Sequence, residues 1–234
     1  MQTELLAMTH TFTCTHCASS WHLTAEEVQS MHDCGVADLL VDEVLCDDCE
    51  AATAALEASQ RAEDRRAAFL AGIPAEYRSA SPERVPACFA QAKMARPLRM
   101  GLIGPSGSGK SCAMAVHVIA RGSPFVWLTV NELREITIKA AVHGGEWSAK
   151  LNRACAVPVL VIDDISQARF TEAFASTFYE LLEIRNKNRL VVLWTSQKPL
   201  DALRAKIAAQ CGDSDQSEAI SRRLGQDALQ LTAG

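Results

Sequence analysis

The chain has 234 residues, above the roughly 100–200 typical of one domain, and 48% of them are apolar, so one main core with a smaller appendage is the expected build. No uncharged apolar stretch approaches the roughly 18 residues that span a bilayer, and the opening MQTELLAMTH has Glu4 and no basic residue before its short apolar stretch, unlike a secretory signal, so a cytosolic protein is expected. The net charge of −5 is divided: residues 1–80 hold 4 Lys/Arg and 14 Asp/Glu, net −10, and residues 81–234 hold 19 and 14, net +5, so the front half repels nucleic acid and the back half is able to approach phosphates.

Nine cysteines in a cytosolic chain point to metal ligands or buried thiols rather than disulfides. Cys14 and Cys17 in CTHC, then Cys46 and Cys49 in CDDC, give two C-x2-C pairs separated by 28 residues. The gap holds a helix start, Thr24 with Glu27 as a capping box before VQSMHD. The second pair runs into a helical pattern from Glu50 to about Leu70, as in treble-clef-like knuckles. Four thiolates arranged this way close a tetrahedral structural zinc site with no open position for catalysis; unrelated pairs or a redox dithiol are the alternatives. Cys34, His16, His22 and His32 are reserve ligands at best. Cys88, Cys112, Cys155 and Cys211 lie apart among apolar neighbours and read as buried core thiols.

The alanine-rich AATAALEASQRAEDRRAAFLAG favours helix up to Gly72. GIPAEYRSASPERVPA, with prolines at 74, 82 and 86, reads as the joint between modules. The expected organisation is an N-terminal zinc module with its long helix over residues 1–70, a linker over 71–86 and a nucleotide-binding domain over 87–234. Beyond the joint, strands are expected at 98–103, 125–130, 159–163, 189–195 and 228–232, with helices between them. That alternation indicates a parallel sheet covered on both faces. Asn131 is the expected cap of the helix ELREITIKAAV, and FTEAFASTFYELLEIRNK has clear 3.6-residue periodicity.

The first strand leads into GPSGSGKS, whose spacing G-x-x-x-x-G-K-S is filled by Gly104, Gly109, Lys110 and Ser111. Such a loop turns its amide N–H groups around phosphate oxygens, where a Cβ obstructs the approach, and the helix that follows adds its dipole. The expected nucleotide site is therefore the loop itself: Gly104, Pro105, Ser106, Gly107, Ser108, Gly109, Lys110, Ser111 and Cys112. Lys110 is placed to reach the β- and γ-phosphates and Ser111 to ligate magnesium. PVLVIDDIS is an apolar strand ending in Asp163 and Asp164, 52 residues beyond Ser111. Asp163 suits the magnesium shell, and Asp164 stands where a general base orients an attacking water, so ATP hydrolysis is expected rather than binding alone. An additional strand, FVWLTV, separates the two motifs, the arrangement of AAA+ and RecA-like ATPases. The next strand ends in WTSQ, placing Thr195, Ser196 and Gln197 beside the expected γ-phosphate, with Gln197 in the sensor-1 place.

With these motifs in this order, the chain resembles the AAA+ helicase loaders of the DnaC and DnaI type and their transposition relative IstB. The resembling stretches run from IPAEYRSAS through GPSGSGKS, FVWLTVNELREI, VLVIDDIS and LLEIRNKNRLVVLWTSQ to AISRRLG, roughly the last two thirds of the chain. The resemblance implies an α/β AAA+ P-loop NTPase with a parallel five-stranded sheet, preceded by a small four-cysteine zinc-binding domain and a helix. It also implies ATP, Mg2+ and Zn2+ as cofactors, and an ATP-dependent homo-oligomer in which Arg223, directly before Leu224, acts in the neighbour's ATP site; Arg222 is the other choice, and a solvated basic pair is the plain reading. The implied partners are a replicative DNA helicase, gripped by the acidic zinc module, and single-stranded DNA, in a bacterial or phage-infected cytoplasm and without a membrane. DNA contacts are expected from Arg134, Lys139, Lys150 and Arg153, with Trp147 as a stacking group, although scattered basic residues on a helix are most often simply solvated. Gln197 stands where the family often has Asn, Asp164 replaces the glutamate of many AAA+ enzymes, and a lid-borne second sensor is expected to be missing. The competing functions are an IstB-like transposition ATPase acting with a transposase on duplex DNA, and an ATP-gated adaptor with vestigial hydrolysis.

Overall fold

The computed structural model describes residues 10–33, 43–93, 96–226 and 228–233, of which the side chains of His10, His32, Glu43, Val44 and Lys93 are not described. Its contacts divide into two units, Met1–Arg66 and Ala67–Gly234.

In the first unit, β1 (His10–Cys14) and β2 (Ser20–Leu23) pair antiparallel, and Phe12 stacks on Trp21 with centroids 5.7 Å apart. The connecting CTHCAS turn tightens through Ala18 at φ 58° and bonds from Cys14 N to Ser19 O and from Ala18 N to Cys14 O. Helix α1 (Ala25–Asp33) starts at the expected capping box: Glu27 N donates to Thr24 Oγ1, and Thr24 N to Glu27 Oε2 at 2.8 Å. Strand β3 (Glu43–Val44) pairs parallel with β1 and so delivers the second cysteine pair beside the first. Helix α2 (Asp47–Ala71) begins two residues ahead of Cys49, with Asp47, Asp48 and Glu50 in its first turn, where carboxylates complement the helix dipole.

The second unit is built on β4 (Arg99–Ile103), β5 (Phe125–Thr129), β6 (Val159–Asp163), β7 (Val191–Ser196) and β8 (Ala228–Thr232). They form one parallel sheet in the order β5-β6-β7-β4-β8. The three central strands are buried at every position, which is why each reads as a continuous apolar run instead of an alternation. The helices are α3 (Lys110–Arg121), α4 (Val130–His143), α5 (Gly145–Ala156), α6 (Glu172–Lys187), α7 (Leu200–Cys211) and α8 (Ser214–Gly225). One core layer gathers Met100, Leu102, Met114 and Val161; the other gathers Leu160, Ile162, Phe174, Phe178 and Trp194. A Cβ on Gly101 would lie 2.2 Å from the Trp194 ring, so only glycine lets β4 lie against that indole.

Several local details differ from the sequence reading. The cap of α4 is Thr129, not Asn131: the last residue of β5 itself completes a reciprocal capping box with Glu132, so the strand ends at Thr129 and the helix begins at Val130. Strand β7 starts at Val191 because Arg189 takes a left-handed turn at φ 51°. The expected buried thiols are not fully buried. Cys88 is exposed, since Phe89 takes the inward position of its turn, and Cys112, Cys155 and Cys211 are half-buried. The proline-bearing segment lies within the second unit, where Ile73 is fully buried and Val85 and Phe89 join the core. Arg185 has no exposure, and its guanidinium donates to the carbonyls of Ala154, Val157 and Val191 at 2.7, 2.9 and 2.5 Å, tying the end of α5 to the starts of β6 and β7.

Candidate functional site

The carboxyl end of β4 is where the strand order reverses, with β7 on one side and β8 on the other, and open α/β sheets hold ligands at that position. The loop 104–109 emerges there and feeds α3. Gly109 sits at φ 83°, and a Cβ on it would come within 2.7 Å of Pro86, so the turn is closed to other residues on both counts. The Lys110 ammonium points back into the loop and donates to the carbonyls of Gly104 at 2.9 Å and Pro105 at 2.8 Å. Ser108 Oγ is buried without a hydrogen-bond partner. A buried hydroxyl without a partner inside a ring of loop amides fits an anionic phosphate. A cavity of about 280 Å³ opens over the loop, lined among others by Gly107, Lys110, Ser111, Asp164, Gln197 and Tyr77.

The sheet register brings the remaining groups together. Ser111 Oγ donates to Asp163 Oδ1 at 3.0 Å, and Thr195 Oγ1 donates to the same oxygen. Thr195 also accepts from the Asp164 amide at 2.8 Å, which fixes Asp164 in a left-handed conformation at φ 54°. Burial pushes the Asp163 carboxyl above its ordinary range, the Thr195 and Ser111 hydrogen bonds pull it partly back, and Asp164 adds to the rise. A buried carboxylate beside a serine hydroxyl is the hard-oxygen donor pair that suits magnesium. Of the expected catalytic residues, Lys110, Asp163, Asp164 and Gln197 thus converge on one mouth. Gln197 lines it while its own amide is held by Ser166 Oγ at 3.0 Å. Thr195, expected beside the γ-phosphate, is fully buried, and the contact that sequence reasoning missed is its bond to Asp163, which only the β6–β7 register creates.

Arg223 is held away from that cluster by its own chain. Its Nε donates to Glu183 Oε2 of α6 at 2.6 Å and its Nη1 to Gln226 Oε1 at 3.3 Å, whereas Arg222 is exposed. The expected DNA-facing residues lie on the α4–α5 hairpin. Trp147 carries the ammonium groups of both Lys139 and Lys150 at 4.3 Å from its ring centroid, and each lysine is also paired with a glutamate one turn away, Glu135 and Glu146. Arg153 is exposed and Arg134 half-buried.

In the first unit, the Sγ atoms of Cys14, Cys17, Cys46 and Cys49 lie within 4.8 Å of one another, with Cys17 and Cys46 3.6 Å apart. Four sulfurs each about 2.3 Å from one tetrahedral ion stand about 3.8 Å apart, so the set fits zinc, and none of these spacings is that of a disulfide. The Cys17 and Cys46 amides hold the Cys14 thiol down to about 6, while Cys49, facing the other three sulfurs, is pushed up. Such a cluster sheds all its protons only against a cation. Among the reserve ligands, His22 is engaged with Thr11, and Cys34 and the His32 side chain lie outside the described residues. Among the described residues the four cysteines are the only group of three or more His, Cys, Asp or Glu side chains close enough to share one ion.

Residues 78–232 match the family described as IstB-like ATP binding protein. Among solved structures, the chain is similar to that of DnaI, with a TM-score of 0.58 and 20% identity over 68% of this chain and 93% of that one. It is also similar to the DnaC helicase loader, at 0.54 and 15% over 69% and 100%, and to a putative primosome component from Streptococcus pyogenes serotype M3, at 0.52 and 18% over 69% and 89%. These likenesses show the AAA+ fold. No curated protein matches the chain significantly.

Proposed function

The chain belongs to the IstB-like ATP-binding protein family, and from that premise we propose that it is an ATPase that loads a replicative helicase onto single-stranded DNA. The observation that carries the catalytic half is the shared Asp163 oxygen. Ser111 and Thr195 converge on it, Lys110 stands at the loop, and Asp164 is locked beside it by its own backbone. In this reading the loop amides and Lys110 bind the phosphates, Ser111 and Asp163 hold magnesium, and Asp164 orients water with Gln197 at the γ-phosphate. A magnesium ion held by Ser111 and Asp163 would neutralise the charge that develops on the phosphates. Arg223 of one subunit serves the next, which requires that its pairing with Glu183 be exchanged for the neighbour's phosphate.

The loading half rests on the division of charge. A four-thiol module in a segment of net −10 is unsuited to DNA and suited to a basic or apolar protein surface, which supports a helicase partner as for the DnaC loader. The α4–α5 hairpin, with Trp147 under two ammonium groups, has the stacking and phosphate-binding chemistry of a single-strand site. Single-turnover ATP hydrolysis with no DNA, single-stranded DNA and duplex DNA tests the reading. Stimulation by single strands, lost in Trp147→Ala and with Lys110→Ala inert, is expected. Stimulation by duplex alone favours the transposition helper, and no hydrolysis under any condition favours an ATP-gated adaptor.

A further inference from the structure

Beyond Asp163, the tips of β6 and β7 are joined a second time, through Ser166. After Asp164 the chain makes one tight turn, Ile165–Gln167, closed by Gln167 N on Asp164 O at 2.8 Å. Ser166 lies inside that turn, buried, and its Oγ accepts the Gln197 amide at 3.0 Å. On the other side of Gln197 the backbone curls back, because Ser196 Oγ accepts the Lys198 amide at 3.0 Å and donates to the Lys198 carbonyl at 2.6 Å. Gln197, which lines the phosphate-loop cavity, is therefore fixed by its backbone rather than by its side chain. The Ser166 carbonyl is held in turn from α7, where Lys206 Nζ donates to it at 2.6 Å. Burial and the charge of Lys198 push the Lys206 ammonium below its ordinary range, so this placement carries a cost, and the partner it meets is a backbone carbonyl. One turn further along the same face of α7, Gln210 Oε1 accepts the Phe170 amide at 2.9 Å. Helix α7 thus grips the stretch after Asp164 twice, once beside the site and once away from it.

We propose that Ser166 and Lys206 are positioning residues for the hydrolytic step. Lys206 fixes the Ser166 carbonyl, the Ser166 hydroxyl fixes the Gln197 backbone, and together they hold Asp164 and Gln197 at the spacing that one attacking water requires. Neither residue lines the phosphate-loop cavity, so neither contributes to nucleotide affinity, which comes from the loop amides and Lys110. Rate is the sensitive quantity, since a displacement of about 1 Å in a reacting arrangement costs roughly 10²-fold. The inference rests on the reading in which Asp164 and Gln197 serve the γ-phosphate.

The test is single-turnover hydrolysis of ATP with magnesium by the full chain, beside its affinity for a fluorescent ATP analogue and its melting temperature. Lys206→Met keeps the apolar stem and deletes the donor, and Ser166→Ala deletes the hydroxyl alone. Each should lower the hydrolysis rate about ten-fold, a fraction of the loss a full 1 Å shift brings, with nucleotide affinity within about two-fold of the wild type. Lys206→Arg, which returns a donor to the Ser166 carbonyl, should recover most of the rate. A rate within about two-fold of the wild type in Lys206→Met or Ser166→Ala overturns the role of that residue. Gln210→Leu cuts the grip of α7 that lies away from the site; it should melt as low as Lys206→Met yet hydrolyse ATP as the wild type does. If it is slowed as much as Lys206→Met, the effect is a loosened helix and the positioning role is refuted. In a Gln197→Ala background, Ser166→Ala should add less than about a two-fold loss, because no side chain is left to misplace, and full additivity overturns the route through Gln197. Wild-type hydrolysis by Asp164→Asn and Gln197→Ala would instead refute the underlying reading of the site, whatever the Ser166 and Lys206 variants do.

Discussion

Thr195→Val replaces a hydroxyl with a methyl of nearly equal size at a position with no solvent exposure, so the change opens no cavity and tests hydrogen bonding alone. Two bonds are lost: the donation to the Asp163 carboxylate, charge-assisted and worth about 1.5–3 kcal/mol, and acceptance from the Asp164 amide, whose orphaned N–H costs about 1–3 kcal/mol. The two share one oxygen and do not add in full, so about 3 kcal/mol is expected. For a unit of this size that is a fall in melting temperature of about 6–12 °C. Thr195→Ser keeps the hydroxyl and loses one methyl, costing about 1 kcal/mol. Activity carries a second, independent readout. The Thr195 bond holds the Asp163 carboxyl down against burial, and a metal ion binds only the ionised form. Deleting that donor raises the carboxyl further, so the acid side of the pH–turnover profile should move to higher pH in Thr195→Val and stay in place in Thr195→Ser. Equal melting temperatures for the two variants, with an unmoved acid limb, would refute the positioning role.

Three further outcomes are expected. Asp163→Asn should melt higher than wild type at neutral pH, because a carboxyl raised by burial is a cost in its ionised form that is relieved only as pH falls through its titration, and turnover should vanish; a lower melting temperature contradicts the burial argument. Elemental analysis of protein purified without chelator should give one zinc per chain, and Cys46→Ser should lower this and unfold the first unit by circular dichroism; substantially less than one zinc in the wild type rejects the site. Arg223→Ala and Lys110→Ala, each inactive alone, should partly recover ATPase activity when mixed, since one interface then pairs an intact loop with an intact arginine. Mixed oligomers that form and remain inactive would transfer the role to Arg222.

Much of the sheet was legible because its central strands are buried on both faces and therefore read as unbroken apolar runs between polar helices. The phosphate loop and the cysteine pairs were legible because their chemistry fixes residue type and spacing within a few positions. What was not legible depends on contacts distant in sequence. Thr195 meets Asp163 only through the β6–β7 register, Arg223 meets Glu183 across forty residues, and Tyr77 lines the phosphate-loop cavity from a segment that looks like a proline-rich joint. The misplaced α4 cap has a smaller cause: Thr129 and Asn131 are both good capping residues, and the reciprocal bond with Glu132 decides between them.

In the proposed function the acidic four-thiol unit grips a replicative helicase while the AAA+ unit works through ATP. Native mass spectrometry of the full chain, mixed with the replicative helicase of its own source and ATP, measures this directly. A defined hetero-complex is expected, lost when Cys46→Ser replaces the wild type and dependent on ATP for its higher-order form. A mixture in which the two proteins stay apart at every nucleotide condition, with zinc and ATP demonstrably bound, would contradict it.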